Sequence, residues 1–356
     1  MKKTSNQKKI NIYKKKLLIF TTTIFVFFSI ITIIFLSKFK DIVYLNNPIT
    51  AHEIKNIRNI DNYSRYFKFY LLKNNYKNQN FIFGSSSIKF MNPVLKDKGE
   101  KYSAINMGMP GFTIEELEKY INWLVVNKQN TQDVIIFLKS FSFDKNKNYK
   151  VYLPYELEIS NYGKIQNIYN KLHFSRIVKM ILKNKITNKK NKQKNEQLTN
   201  DDLNSFNYGY KIINNSQKFN STKKFKLDYV NEIDIEYDEY VDKLFRINQL
   251  LIDKNINVKY VFDPVYYEKL LLDNKIYHLF ELELIEKLLK KINKIYYYNN
   301  FNKYNFSTDF SDFDHYNADL ASKILSEIVF PDVEKNYIVL DKYNFTKFKK
   351  QINEKQ

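Results

Sequence analysis

The chain has no cysteine, and its 356 residues include only six glycines, six prolines and one tryptophan. The missing thiols exclude disulfides and thiolate chemistry and leave an extracytoplasmic location open. Several other signatures are also absent. No zinc-finger spacing or nucleic-acid recognition motif is present. His52 and Glu53 are adjacent but lack the second histidine of HExxH, so His52 reads as a surface residue. What the chain does have is Lys, Asn, Ile, Tyr and Phe, with 29 Tyr, 29 Phe and a net charge of +20. Codon bias in an AT-rich genome would enrich these residue types together, and is the favoured reading for much of the charge. Attraction to anionic lipid or phosphate polymer is the functional alternative.

Residues 1–16 form a basic tail with seven lysines and no acid. Leu17 to Ser37 follows, 21 residues without a charge. About 20 apolar residues span a bilayer, so 17–37 is expected to be a transmembrane helix. The lysine excess before the span places the N-terminus in the cytoplasm and the rest outside. A cleaved signal peptide would have a shorter apolar region and a small-x-small site, which Phe35 to Phe39 does not offer. Residues 38–78 read as a juxtamembrane segment, with a helix over Ile54–Leu72.

Strands and helices then alternate. Asn80–Phe83 and Tyr102–Asn106 read as strands. Thr113 and Glu116 make a capping box for a helix over Ile114–Asn127, and Val134–Leu138 is an apolar run of buried-strand type. Ile165–Lys183 reads as a helix containing His173, which has no second ligand at metal-binding spacing. Residues 184–227, rich in Lys and Asn, read as a flexible insertion. A helix over Asp234–Asn255, a strand from Val258 to Phe262 ending at Asp263-Pro264, a helix over Tyr277–Ile292, a strand over Ile295–Tyr298 and a helix over Ala318–Ile328 complete the pattern. Such alternation predicts an α/β fold with a mostly parallel sheet and helices on both faces. Pro331 is expected to end the compact domain, with 331–356 as a tail of no assigned role.

Two stretches carry chemistry. Phe81 to Ser87 ends an apolar strand in Gly84-Ser85-Ser86-Ser87, which presents a serine on a tight turn. No Gly-Lys-Ser/Thr follows, so it is not a phosphate-binding P-loop. Alone, it reads better as a solvated turn or a helix N-cap. The second stretch, Asp312-Phe313-Asp314-His315, spaces a carboxylate three residues before an imidazole. A carboxylate there can fix the tautomer, leaving the other ring nitrogen as a base for a serine hydroxyl. An oxyanion would then need backbone N–H donors, and Gly111 lies on a loop suited to supply one. Asp309, Asp312 and Asp314 with His315 could instead hold a metal or cap the last helix. The better use is catalytic, and the expectation is no metal and no cofactor.

Gly-Ser-Ser after the first strand, Asn106-x-Gly108-x-x-Gly111 after the second and Asp312-x-x-His315 before the last helix occur in a recognisable order. The chain over about 79–330 resembles the SGNH/GDSL hydrolase superfamily, with similarity to its membrane-anchored envelope branch. That branch includes the D-alanine transfer protein of teichoic acid and the alginate O-acetylation proteins. The resemblance implies a flavodoxin-like three-layer α/β/α sandwich that hydrolyses or transfers ester-linked acyl groups. It implies Ser86 as nucleophile, His315 as general base, Asp312 as orienting partner, and the N–H groups of Gly111 and Ser86 as oxyanion donors. The family's asparagine donor follows the third strand; Lys139 to Asp144 has none, only Ser140 and Ser142.

The expectation is therefore a membrane-anchored extracytoplasmic serine esterase or O-acyltransferase. Its substrate would be an envelope glycan or lipid-linked acyl polymer, with a membrane acyltransferase as a candidate partner and no nucleic acid. A catalytically inactive scaffold with the same fold is the alternative, motivated by the missing asparagine. A third reading has the basic insertion contacting anionic polymers.

Overall fold

In a computed structural model, residues 13–30, 64–74, 79–138, 237–265, 277–300, 303–305, 310 and 315–355 are described. The chain divides into two compact units, Met1–Ile54 and Lys55–Gln356. In the first, residues 13–30 are helical and their apolar side chains are mostly exposed. Thr21, Thr22 and Thr23 donate to carbonyls three or four residues back, which satisfies their hydroxyls within the helix. Among the described residues, no helix is long and apolar enough to cross a membrane. Of the expected span 17–37, residues 17–30 are helical and 31–37 lie outside the described residues.

The second unit is an α/β structure. Eight strands are described: β1 (Asn80–Gly84), β2 (Val94–Asp97), β3 (Glu100–Ser103), β4 (Ile105–Gly108), β5 (Asp133–Leu138), β6 (Asn257–Phe262), β7 (Ile295–Tyr297) and β8 (Ile338–Leu340). Six of them form one sheet in the order β4-β1-β5-β6-β7-β8. All its pairings are parallel except β7 with β8. The helices are α1 (Ser64–Asn74), α2 (Ile114–Asn127), α3 (Tyr237–Ile252), α4 (Tyr277–Leu289), α5 (Ala318–Val329) and α6 (Phe345–Lys355).

Alternation along each strand divides the core. Phe81, Phe83, Val134, Ile136, Tyr260 and Phe262 face one layer, packed with α1, α2, α3, α4 and α6. Ile82, Ile135, Phe137 and Val261 face the other, packed with α5 and with Ile88 and Met91. Both faces are covered, which is why the central strands read as unbroken apolar runs.

Three boundaries differ from the sequence expectation. The single strand expected over Tyr102–Asn106 is two: β3 pairs antiparallel with β2, and β4 begins the parallel pairing with β1. The β2–β3 turn uses Lys98 at φ 45° and Gly99 at φ 92°, the doubly left-handed turn that suits a two-residue hairpin. The expected end at Pro331 is also passed. β8 extends the sheet, and Phe345, Phe348 and Ile352 of α6 are buried in the core. Their spacing of three and four residues was the signal for that packing. Likewise α1, inside the expected juxtamembrane segment, buries Phe69, Leu71 and Leu72.

Candidate active site

The sheet order reverses at β1. The next parallel strand in sequence, β4, lies on one side of it, and β5 lies on the other. Such a switch point opens a crevice at the carboxyl ends of the strands. Ser86 lies two residues past the end of β1, on that side of the sheet. Residues Ser86–Phe90 form a short 3-10 turn that buries Ser87, Ile88 and Phe90 while Ser86 stays partly exposed.

Ser86 Oγ and His315 Nε2 lie 2.7 Å apart, a hydrogen bond across 229 positions of sequence. The half-buried pair is reachable by a substrate. Neighbouring residues hold it together. Tyr316, next to His315, is fully buried and donates its hydroxyl to Asp263 Oδ2 at 3.1 Å. The Ser87 hydroxyl, next to Ser86, acts on the same phenol in the direction that lowers its pKa. Ser85 Oγ and Ser87 Oγ are 3.2 Å apart. A buried polar chain therefore runs from Asp263 through Tyr316 to the two serines flanking Ser86. Burial first, and the Asp263 carboxylate second, push the Tyr316 phenol well above its ordinary range, so it remains a donor. Tyr316 forms an isolated β-bridge with Phe310, and in extended backbone successive side chains alternate. Its inward ring thus leaves the preceding imidazole to face Ser86.

Asn106 fixes the serine turn from the other side. Its Nδ2 donates to Ile88 O at 2.7 Å and Met91 O at 2.8 Å, and its Oδ1 accepts from Gly108 N at 2.8 Å. The side chain is fully buried, and these bonds satisfy it. Gly108 permits the contact. A Cβ there would stand 2.6 Å from Ile88 Cγ1, 2.9 Å from Asn106 Oδ1 and 3.1 Å from the backbone nitrogen of Lys89. Three of the six glycines in the chain, Gly84, Gly108 and Gly111, lie around this turn and the adjoining loop.

Gly111 follows β4 and has φ +60°, a conformation that glycine adopts without strain. Its carbonyl accepts from Arg65 Nη2 at 3.3 Å, and that of Pro110 accepts from the same nitrogen at 2.9 Å. Arg65 also pairs with Glu116 through Nε to Oε1 and through Nη2 to Oε2 at 3.0 Å. Glu116 closes the expected capping box: Thr113 N donates to Oε2 at 3.0 Å, and Glu116 N donates to Thr113 Oγ1 at 3.3 Å. Behind β4, Lys68 is buried and donates to the Asn106 carbonyl. Burial lowers its pKa to about 7.

The structure thus brings Ser86 and His315 together and places Gly111 at the end of the neighbouring strand. Asp312 lies outside the described residues, as do Asp309, Asp314, His52, the stretch Lys139–Asp144, the expected helix Ile165–Lys183 with His173, and the insertion 184–227. Among the described residues, no group of three His, Asp or Glu side chains could hold a metal ion.

Arg65, Lys68, Asp263 and Tyr316 were not singled out from the sequence. Asp263 carried a usable signal, an acid at the carboxyl end of an apolar strand in a parallel sheet. Arg65 carried none, because its partners are carbonyls 45 and 46 positions away. No family model matches this sequence, and no curated protein matches it either.

Proposed function

We propose that the chain is a serine esterase or O-acyltransferase of the SGNH type, with a flavodoxin-like domain acting on ester-linked acyl groups. The observation that carries this is the 2.7 Å contact between Ser86 Oγ and His315 Nε2 in a crevice at the carboxyl ends of the parallel strands.

In this mechanism His315 Nε2 takes the Ser86 proton as Oγ attacks the ester carbonyl. The carbonyl oxygen becomes an oxyanion held by the N–H groups of Gly111 and Ser86. The C–O bond to the alcohol breaks, and His315 returns the proton to the leaving oxygen. Water or an acceptor hydroxyl then attacks the acyl-enzyme by the same route, with His315 again as base. Asp312 serves as the orienting partner of the ring, as the resemblance implies.

The lysine-rich start and the apolar stretch 17–37 support a single-pass anchor with the catalytic unit outside the cytoplasm. An anchored enzyme suits a lipid-linked or envelope-glycan substrate, and a membrane acyltransferase that hands on the acyl group. The test is hydrolysis of p-nitrophenyl acetate by the detergent-solubilised chain. Turnover abolished in Ser86→Ala supports the reading; turnover equal in that variant refutes it.

A second reading is a catalytically inactive scaffold. It is favoured by the absence of asparagine from Lys139 to Asp144. Full complementation of a deletion strain by both Ser86→Ala and His315→Ala would select it.

A further inference from the structure

We propose that Arg65 is a positioning residue that aims and polarises the Gly111 N–H as the oxyanion donor. This rests on the esterase reading above. The geometry comes from one cation gripping two consecutive carbonyls. Arg65 Nη2 lies 2.9 Å from Pro110 O and 3.3 Å from Gly111 O. In a planar trans peptide the C=O and the following N–H point in opposite directions. The Pro110 carbonyl, turned toward Arg65, therefore turns the Gly111 N–H away from it. The left-handed φ of Gly111 belongs to the tight turn centred on Pro110 and Gly111.

The grip also has an electronic effect. A guanidinium on the Pro110 carbonyl withdraws electron density from the peptide, which strengthens the Gly111 N–H as a donor. Arg65 cannot swing freely, because Glu116 holds two of its nitrogens and its side chain is mostly buried. Its own helix is fixed as well: Tyr120 donates to the Arg65 carbonyl at 3.0 Å, and Lys68 donates to the Asn106 carbonyl. Thus α1, which lies outside the strand–helix alternation, braces the loop from behind. With no asparagine between Lys139 and Asp144, the stretch matching the family's third donor, the Gly111 donor would carry more of the oxyanion charge.

The test uses the full chain in detergent, comparing wild type with Arg65→Ala and Arg65→Lys on p-nitrophenyl acetate. Both variants should lose kcat, Arg65→Ala by about ten- to a hundredfold, with KM within about twofold. Arg65→Lys keeps a charge for Glu116 but lacks the planar fork, and should fall between the two. An alkyl boronic acid gives the discriminating readout. Ser86 Oγ adds to boron, its proton passes to His315, and the adduct is a tetrahedral anion. Its affinity should fall by the same factor as kcat/KM.

A purely structural role would lower the melting temperature and leave boronate affinity per folded molecule unchanged. That result, or wild-type kcat in either folded variant, overturns the role of Arg65. A wild-type chain with no turnover and no boronate binding overturns the esterase reading, and the role of Arg65 with it. Turnover in wild type beside equal turnover in both variants overturns only the latter.

Discussion

Ser86 and His315, 229 positions apart in the sequence, are joined by a 2.7 Å hydrogen bond, and the residues immediately after them, Ser87 and Tyr316, are both buried. His315→Ala removes that bond and leaves the buried hydrogen bond from Tyr316 to Asp263 in place. It should slow ester turnover by about a thousandfold or more, while the melting temperature stays near that of wild type. Steady-state kinetics beside a thermal melt check both parts.

Asn106 makes a prediction of the opposite kind. Its side chain does no chemistry but holds two carbonyls of the serine turn and the Gly108 N–H. Asn106→Ala leaves buried polar groups without that partner, and should cost about 2–4 kcal/mol of stability. Urea denaturation gives this directly. A loss below about 0.5 kcal/mol would mean that the turn does not depend on the side chain.

Lys68 predicts a pH dependence. Burial lowers its folded-state pKa to about 7 from an ordinary 10.5. Between those values the unfolded chain binds the proton and the folded chain does not. Stability should therefore be lowest below about pH 7 and should rise toward pH 10.5, by about 1.4 kcal/mol per pH unit at most. Lys68→Met should remove this rise. Denaturation midpoints of both proteins from pH 6 to 10 isolate the effect of Lys68 as a difference. A difference that stays flat across the range contradicts a neutral buried amine.

Much of the sheet was legible because its residues speak locally. Apolar runs such as Val134–Leu138 can be buried only on both faces, and Thr113 with Glu116 announces a helix start three residues long. The parts that were not legible depend on distant partners. Lys96 and Lys101 disguise β2 and β3 because that hairpin lies outside the main sheet. The aromatic side of α6 is hidden among lysines, and only the spacing of Phe345, Phe348 and Ile352 betrays it. Ser86 and His315 could be picked out as types suited to chemistry, but their contact depends on Asp263, Tyr316 and Ser87. Asp263 contacts Tyr316 from 53 positions away, and no local pattern encodes that.

Covalent labelling of Ser86 is the most direct test. The solubilised chain is incubated with a fluorophosphonate, and its mass is then read intact and after digestion. Attack by Ser86 Oγ on phosphorus, with loss of fluoride and transfer of the proton to His315, leaves one phosphonate per chain. The adduct should map to the peptide containing Ser86, and should vanish in Ser86→Ala and nearly vanish in His315→Ala. A wild-type chain that stays unmodified, or an adduct that persists in Ser86→Ala, would contradict a nucleophile at the end of β1.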